Sequence, residues 1–291
     1  MRLLLPFLIA ASITSAQATE GFVASVHPLA TQAGLDALKN GGNAIDAAAA
    51  VALTLGVVDG HNSGIGGGCF FLARLADGTF IALDGRETAP ANASRDMYLK
   101  DGKPVEELSK TGPLASATPG ALAVYEEAVQ KHGKLSFSKA FEAGIRHAQS
   151  GFPIDRVYAK KLAGQATNLA LFPASKAIFL KANGSPYLEG EQIVQKDLAE
   201  SYRSIAKNGK EWFYRNSFPK TVEKYMKANG GILTAKDLKE YKVKERTPLT
   251  SSYRGWTILG FPPPSSGGVH VAQMLNILEA MDNKMPKPGT P

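Results

Sequence analysis

The sequence predicts a mixed α/β fold, with strands near both ends of the chain and helices in its middle part. Apolar residues recur with helical spacing between about residues 30 and 57. Two short apolar and aromatic runs flank Asp77-Gly78, which is a strong hairpin signal. Beyond residue 118, helical segments that end in glycine follow one another. The 291 residues, of which 44% are hydrophobic, suffice for one large domain or two medium ones.

The N-terminal part is expected to contain two helices and a hairpin. The first helix covers about residues 30–39 and ends at Asn40-Gly41-Gly42, a glycine C-cap signal. The second covers about 43–57, and its alanines and valines leave almost no polar face, so it should be buried. A glycine-rich loop at 61–68 precedes the hairpin, whose second strand ends at Arg86.

The second half of the chain is expected to be largely helical. Thr118-Pro119 predicts the N-cap and first proline of a helix that ends near His132-Gly133. Thr234 and Asp237 resemble a capping box. Further helices are expected at about 137–149, 196–207, 218–228 and 267–281, with one strand at 248–261.

Residues 1–18 have the features of a secretory signal peptide. Arg2 precedes an apolar run, and Ala16-Gln17-Ala18 forms an A-x-A cleavage site. The alternative is a buried N-terminal helix. The run is too short to cross a bilayer, and no later stretch is long and apolar enough to do so. We therefore expect an exported protein, periplasmic or secreted, without a membrane span.

The composition argues against nucleic-acid binding and against an internal disulfide. The formal net charge is +7, but the basic residues are dispersed and form no dense run with interleaved aromatics, so nucleic-acid binding is not expected. The single cysteine, Cys69, excludes an internal disulfide. Its apolar surroundings favour a buried, inert thiol over a nucleophile.

Nucleotide and metal sites are not expected. The GIGGG loop lacks the Gly-Lys-Ser/Thr of a Walker loop, and it lies between a helix and a strand, the reverse of a dinucleotide fingerprint. Tight backbone packing or close substrate approach remain as reasons for its glycines. No histidine pairs with another ligand at metal-binding spacing; the five are His27, His61, His132, His147 and His270.

The stretch FPPPSSGGVH at 261–270 raises the question of a serine nucleophile. Ser265 and Ser266 lie between a strand and a helix, but the G-x-S-x-G elbow is absent. A serine after prolines is well placed to cap the helix that follows. His270 falls within that helix and need not face either hydroxyl. Capping is therefore favoured over catalysis.

Arg86 is the best polar candidate. It follows a strand, and strand ends commonly carry functional side chains because the scaffold behind them is rigid. A guanidinium there can bind a carboxylate through two hydrogen bonds. The alternative is a structural ion pair with Glu87 or Asp84, and from spacing alone that alternative is favoured.

Several stretches together resemble the large-subunit region of the γ-glutamyltransferase (glutathione hydrolase) family, over almost the whole chain after residue 18. GGNAIDAAAAVALTLGVV…SGIGGG and PPPSSGG are the most specific. The others are DGRETAPANASRDMYL, FYRN, NGGILTAKDLKEY and YRGW.

The resemblance implies an N-terminal-nucleophile hydrolase fold, a four-layer αββα sandwich that is incomplete in this chain. It implies a proenzyme that cleaves itself, so that the new N-terminal threonine of a small subunit becomes the nucleophile. Glutathione or another γ-glutamyl donor would be attacked, and water, an amino acid or a peptide would accept the acyl group without a cofactor. The arginine of the family's GRE motif, which binds the donor's α-carboxylate, corresponds to Arg86.

The family's Thr-Thr-His motif, which carries the nucleophile, occurs nowhere in this sequence. We therefore expect residues 19–291 to be a partial large-subunit domain, inactive alone, whose threonine and small subunit lie beyond it. A non-catalytic remnant or binding protein for γ-glutamyl compounds is the alternative. A cephalosporin-acylase-like amidase on the same scaffold is a third, against which the intact GRETAP arginine argues.

Overall fold

The structure is a computed structural model that describes residues 21–281. The predicted signal peptide at 1–18 lies outside these residues. Within the described part, no helix is long and apolar enough to cross a membrane.

Two packed helices form the N-terminal part, as predicted. Helix α1 (Pro28–Lys39) begins after His27, whose ring accepts the N–H of Leu29, and ends at Asn40. Helix α2 (Ala44–Val58) begins with a capping box, in which Asn43 and Asp46 bond each other's backbone. Both helices bury alanines, so their axes can approach closely.

The predicted hairpin follows. Strand β1 (Cys69–Arg74) pairs antiparallel with β2 (Phe80–Gly85), with Cys69 opposite Gly85. Gly78 in the turn has a φ of 89°, which a side chain would disfavour. The hairpin therefore delivers the end of β2, and Arg86 after it, next to the glycine-rich loop that enters β1.

Helices dominate the middle of the chain. A 3-10 turn at Phe137–Phe141 precedes α4, so the helix predicted at 137–149 has a tighter first half. The elements in order are β3 (Leu99–Lys100), β4 (Lys103–Pro104), α3 (Ala121–His132), α4 (Glu142–Ser150), β5 (Phe152–Pro153), α5 (Arg156–Ala170), α6 (Pro173–Phe179), β6 (Gln192–Ile193), α7 (Lys196–Asn208), α8 (Lys210–Tyr214), α9 (Ser217–Ala228) and α10 (Ala235–Glu240).

The C-terminal part returns to the sheet. Strand β7 (Lys244–Arg246) pairs antiparallel with β2, which makes a three-stranded sheet in the order β1-β2-β7. A separate hairpin, β8 (Leu249–Tyr253) and β9 (Trp256–Gly260), precedes helix α11 (Gly267–Ala280).

Helix α2 lies at the centre of the main core, against α1, α4 and the 3-10 turn that precedes α4. Leu53 and Val57 of α2 are fully buried. The buried Tyr202 of α7 donates its hydroxyl proton to the carbonyl of Leu53, 3.0 Å away. This hydrogen bond satisfies both buried polar groups and ties α7 to α2.

Three sequence predictions need correction. Thr118 does not cap a helix, because its backbone forms a bridge with Thr88, and α3 begins only after Gly120. The single strand predicted at 248–261 is a hairpin, since Arg254 and Gly255 adopt positive φ and reverse the chain. The third correction is that several elements were not predicted, which are α5, α6, α8 and β7 together with the short pairs β3-β4 and β5-β6.

Candidate substrate site around Arg86

The backbone of Arg86 is fixed from two sides. One carboxylate oxygen of Asp84 accepts the N–H of Arg86 at 2.9 Å. The hydroxyl of Tyr241 donates to the carbonyl oxygen of Arg86, also at 2.9 Å. Burial is the largest cause that raises the pKa of Tyr241, so this hydroxyl stays protonated and remains a donor. Arg86 therefore leaves the strand in one defined direction.

The side chain of Arg86 is free to exchange partners. Its Nη1 lies 3.2 Å from Oε2 of Glu87, and the Arg86 side chain is 63% exposed. The structural ion pair considered as the alternative therefore exists, with Glu87 as the side-chain partner. Exposed pairs contribute little to stability, so a bound carboxylate can replace Glu87 at modest cost.

Asp84 is neutralised by a different arginine. Nε and Nη2 of Arg246 donate to Oδ2 of Asp84, at 3.0 and 2.7 Å. Asp84 is buried on β2, and Arg246 lies on the neighbouring β7. The pair joins the two strands directly beneath the site and leaves the Arg86 side chain outside it.

The glycine-rich loop closes against this site by backbone contact. The carbonyl of Gly67 accepts the N–H groups of Gly120 and Ala121, at 3.0 and 3.1 Å. A Cβ on Gly68 would lie 2.5 Å from Oε2 of Glu87 and 2.7 Å from the carbonyl oxygen of Gly85. Tight backbone packing, one of the two reasons expected for these glycines, is therefore confirmed for Gly67 and Gly68, whereas a Cβ on Gly64 or Gly66 would meet no atom within 4 Å.

A cavity of about 200 Å³ opens at Arg86. Four cationic and two carboxylate side chains line it, so positive charge is in excess. Pro264, from the PPPSSGG stretch, contributes to the wall and brings that motif to the site. The remaining lining residues are Asp84, Arg86, Glu87, Thr88, Tyr241, Lys242, Lys244 and Arg246.

The serine pair has a structural role in this part of the chain. Oγ of Ser265 accepts the N–H of Gly267 at 3.2 Å, at the start of α11. Ser266 is the residue at the helix boundary, but its side chain makes no capping bond. His270 lies within α11, and only its backbone N–H bonds to Ser266. Capping is confirmed for Ser265 and wrong for Ser266.

Neither a thiolate at Cys69 nor a metal-binding group is found among the described residues. Burial is the main cause that raises the pKa of the Cys69 thiol to about 12, so it is overwhelmingly protonated at neutral pH. The inert thiol expected from the sequence is therefore supported, but Cys69 is half-buried and not buried as expected. Between residues 21 and 281, no group of three or more His, Cys, Asp or Glu side chains is placed to hold a metal ion.

Three cationic residues that line the Arg86 cavity could not be predicted from the sequence. Lys242, Lys244 and Arg246 belong to no recognised motif, whereas Tyr241 ends the NGGILTAKDLKEY stretch. The strand that presents Arg246 is only three residues long. Its one usable signal is the β-branched Val243 between charged residues, which is too short a pattern for a strand prediction.

Comparison with known proteins adds the family. A family model described as gamma-glutamyltranspeptidase matches residues 30–291. The glutathione hydrolase proenzyme of Escherichia coli (strain K12) is 43% identical over 270 residues, 92% of this chain and 46% of that protein. The acylase ACY 1 proenzyme of Pseudomonas sp. (strain V22) is 40% identical over 274 residues, 92% of this chain and 49% of that protein.

The same likeness holds in three dimensions. The crystal structure of Helicobacter pylori gamma-glutamyltranspeptidase superposes with a TM-score of 0.89 at 39% identity, over 92% of this chain and 78% of that chain. The predicted α/β class and its assignment to the N-terminal-nucleophile fold are thereby confirmed. The chain spans about half the length of the curated relatives that it matches. These similarities show that the chain belongs to the γ-glutamyltranspeptidase family.

Proposed function

We propose that this chain supplies the large-subunit part of an enzyme that transfers or hydrolyses γ-glutamyl groups of glutathione and related compounds. Residues 19–291 form that part, and residues 1–18 direct export to the periplasm or the exterior. Relatives named glutathione hydrolase proenzyme, together with the family model, support this reading. The word proenzyme in those names fits a product that is cleaved into two subunits.

The excess of positive charge at Arg86 carries the proposal. A γ-glutamyl donor has an α-carboxylate, and Arg86 can bind that carboxylate with two hydrogen bonds once Glu87 has moved aside. Lys242 and Lys244 in the same cavity wall add long-range attraction. Because the backbone of Arg86 is held by Asp84 and Tyr241, the bound donor would be oriented with little loss of protein entropy.

Arg86 then acts by positioning. With the α-carboxylate held, the γ-carbonyl of the donor extends away from Arg86 toward the nucleophile. We propose that this nucleophile is the N-terminal threonine of the small subunit, from a segment outside the 291 residues. Its attack gives an acyl-enzyme and releases the donor's amine. Water then gives hydrolysis, and an amino acid or peptide amine gives transfer.

Binding to the purified chain tests the role of Arg86. Calorimetric titration with γ-glutamyl-p-nitroanilide should give an affinity that falls roughly tenfold or more in Arg86→Gln, because charged hydrogen bonds are lost. Arg203→Gln is the control. Arg203 lies on α7, does not line the Arg86 cavity, and forms an exposed ion pair with the nearby Glu200. Equal affinities in all three proteins would remove Arg86 from the site.

The acylase relative supports a second candidate, an amidase that removes other acyl side chains. A donor panel separates the two functions: γ-glutamyl amides should compete for the Arg86 site, whereas amides whose acyl group lacks an α-carboxylate should not. Equal competition would favour the amidase.

A third reading is a remnant that binds γ-glutamyl compounds without catalysis. The chain alone should release no p-nitroaniline. An in-frame Thr-Thr-His codon run beyond codon 291 would support the enzyme, and a stop codon would support the remnant.

A further inference from the structure

A basic groove lies along the surface of α9 and α10, close to the Arg86 cavity. The Arg86 cavity shares Tyr241, Lys242 and Lys244 with a neighbouring cavity of about 280 Å³. That second cavity shares Glu240 and Lys242 with a groove of about 1090 Å³. The three spaces are therefore neighbours that share lining residues, and Lys242 lines all of them.

The groove carries positive charge that the described residues do not neutralise. Arg215 pairs with Glu211 at 2.7 Å, and Lys236 reaches Glu240 at 3.9 Å. Lys220, Lys239 and Lys242 also line the groove. All three are exposed, and no described carboxylate lies within 4.0 Å of their ammonium groups.

Helix α9 extends this surface. Lys220 and Lys224 are one helical turn apart and line the same shallow depression beside the groove. Lys224 is exposed and likewise has no ion pair with a described residue. The unpaired ammonium groups therefore come from α9, from α10 and from the segment between α10 and β7, and they border this one surface. Leaving several like charges close together raises the energy of the free protein, and a ligand of opposite charge relieves it.

We propose that this groove binds an extended acidic polypeptide segment, a run of Asp or Glu residues. Carboxylates spaced along an extended chain can meet successive lysines, and the buried Tyr214, with Pro219 and Ala235, gives the groove an apolar floor for the chain between them. The site is a docking surface, separate in its chemistry from the single carboxylate bound at Arg86.

The shape of the surface favours a polypeptide over other polyanions. Single-stranded nucleic acid binds through exposed aromatic rings on which bases stack. The one aromatic residue that lines the groove itself, Tyr214, is buried, and Tyr241 in the two neighbouring cavities is half-buried and bonded to the Arg86 carbonyl. An anionic membrane needs a flat or protruding basic face, whereas these lysines border a concave groove.

Fluorescence anisotropy with a labelled oligoglutamate of roughly eight residues, which spans at most about 28 Å when extended, tests the proposal. The variant Lys220→Gln/Lys224→Gln/Lys239→Gln should bind this probe roughly tenfold more weakly than the wild type, given the usual strength of exposed ion pairs. Binding should also weaken sharply as ionic strength rises from about 0.05 M to about 0.5 M.

The matched control is Lys160→Gln/Lys161→Gln/Lys176→Gln, which removes the same charge from exposed positions on α5 and α6. Its affinity for oligoglutamate should equal that of the wild type. An equal loss in both triple variants would overturn the proposal, because net charge alone would then explain binding. Comparable affinity for an oligothymidylate or for phosphatidylglycerol vesicles would overturn it too. Circular dichroism confirms that each variant is folded.

The triple variant on α9 and α10 leaves every residue of the Arg86 cavity in place. It should therefore bind γ-glutamyl-p-nitroanilide like the wild type while binding oligoglutamate roughly tenfold more weakly. Arg86→Gln should bind γ-glutamyl-p-nitroanilide more weakly. If the triple variant still binds oligoglutamate like the wild type, the groove proposal is refuted. If Arg86→Gln still binds γ-glutamyl-p-nitroanilide like the wild type, the proposed role of Arg86 is refuted.

Discussion

Asp84 and Arg246 join strands β2 and β7 under the candidate site through two hydrogen bonds to one carboxylate oxygen, at 2.7 and 3.0 Å. The other carboxylate oxygen accepts the N–H of Arg86. One buried side chain thus holds the third strand of the sheet and sets the direction in which Arg86 leaves it.

Asp84→Asn should lower the free energy of unfolding by about 2 kcal/mol. The neutral amide leaves Arg246 without its charge partner, and the loss is smaller than for a fully buried pair because Arg246 is partly exposed. Urea denaturation measures the change. Glu200→Gln, which breaks an exposed pair with Arg203, should cost less than about 0.5 kcal/mol. Similar losses in the two variants would contradict this account.

Gly68→Ala should destabilise the protein by about 1–3 kcal/mol, because the added methyl group would overlap Oε2 of Glu87 and the carbonyl oxygen of Gly85. Gly66→Ala is the matched control in the same loop. Its added methyl group would meet no atom within 4 Å, so its effect should stay within about 0.5 kcal/mol. Thermal unfolding of both variants decides the matter, and equal melting temperatures would refute the packing argument.

Stability should fall as the pH drops below about 6.5, the ordinary pKa of histidine. Burial lowers the pKa of His27 against the opposing charges of Asp155 and Asp59, and burial also lowers that of His147. The unfolded chain therefore binds more protons than the folded one in this range, and acid favours unfolding. His27→Asn keeps an N-cap acceptor for α1 but removes one titrating group, so its pH dependence should be weaker.

Urea midpoints at several pH values between about 5.5 and 7.5 measure this dependence, since the range brackets the ordinary histidine pKa. A His27→Asn slope identical to that of the wild type would show that His27 stays neutral in both states or titrates alike in both.

The Cys69 thiol should react with iodoacetamide at least about a hundredfold more slowly in the folded protein than in urea. Its pKa of about 12 leaves very little thiolate at pH 8, and the thiolate is the reactive form. Mass spectrometry of the alkylated cysteine follows the reaction. Equal rates in the two states would mean that the thiol is neither buried nor shifted.

Local signals account for the elements that were predicted correctly. The Thr234 and Asp237 capping box sets the start of α10, and the Asp77-Gly78 turn sets the first hairpin, because the bonds that fix them lie within a few residues. Some missed elements do carry such signals, since Asp155 caps α5 and Pro173 opens α6, but strand β7 carries none. Strand β7 forms because Lys244–Arg246 pairs with β2, not because its own residues favour an extended backbone.

The α/β class, the position of Arg86 at a strand end and the family could all be predicted from the sequence, since these depend on local periodicity and on distinctive motifs. The distant residues that surround Arg86 are known only from the folded chain. Asp84 and Arg246 are 162 residues apart in the chain, and the Gly67 carbonyl bonds to the start of α3. Such partners meet because sheet pairing and core packing bring distant segments together, and nothing in their immediate neighbours encodes that encounter.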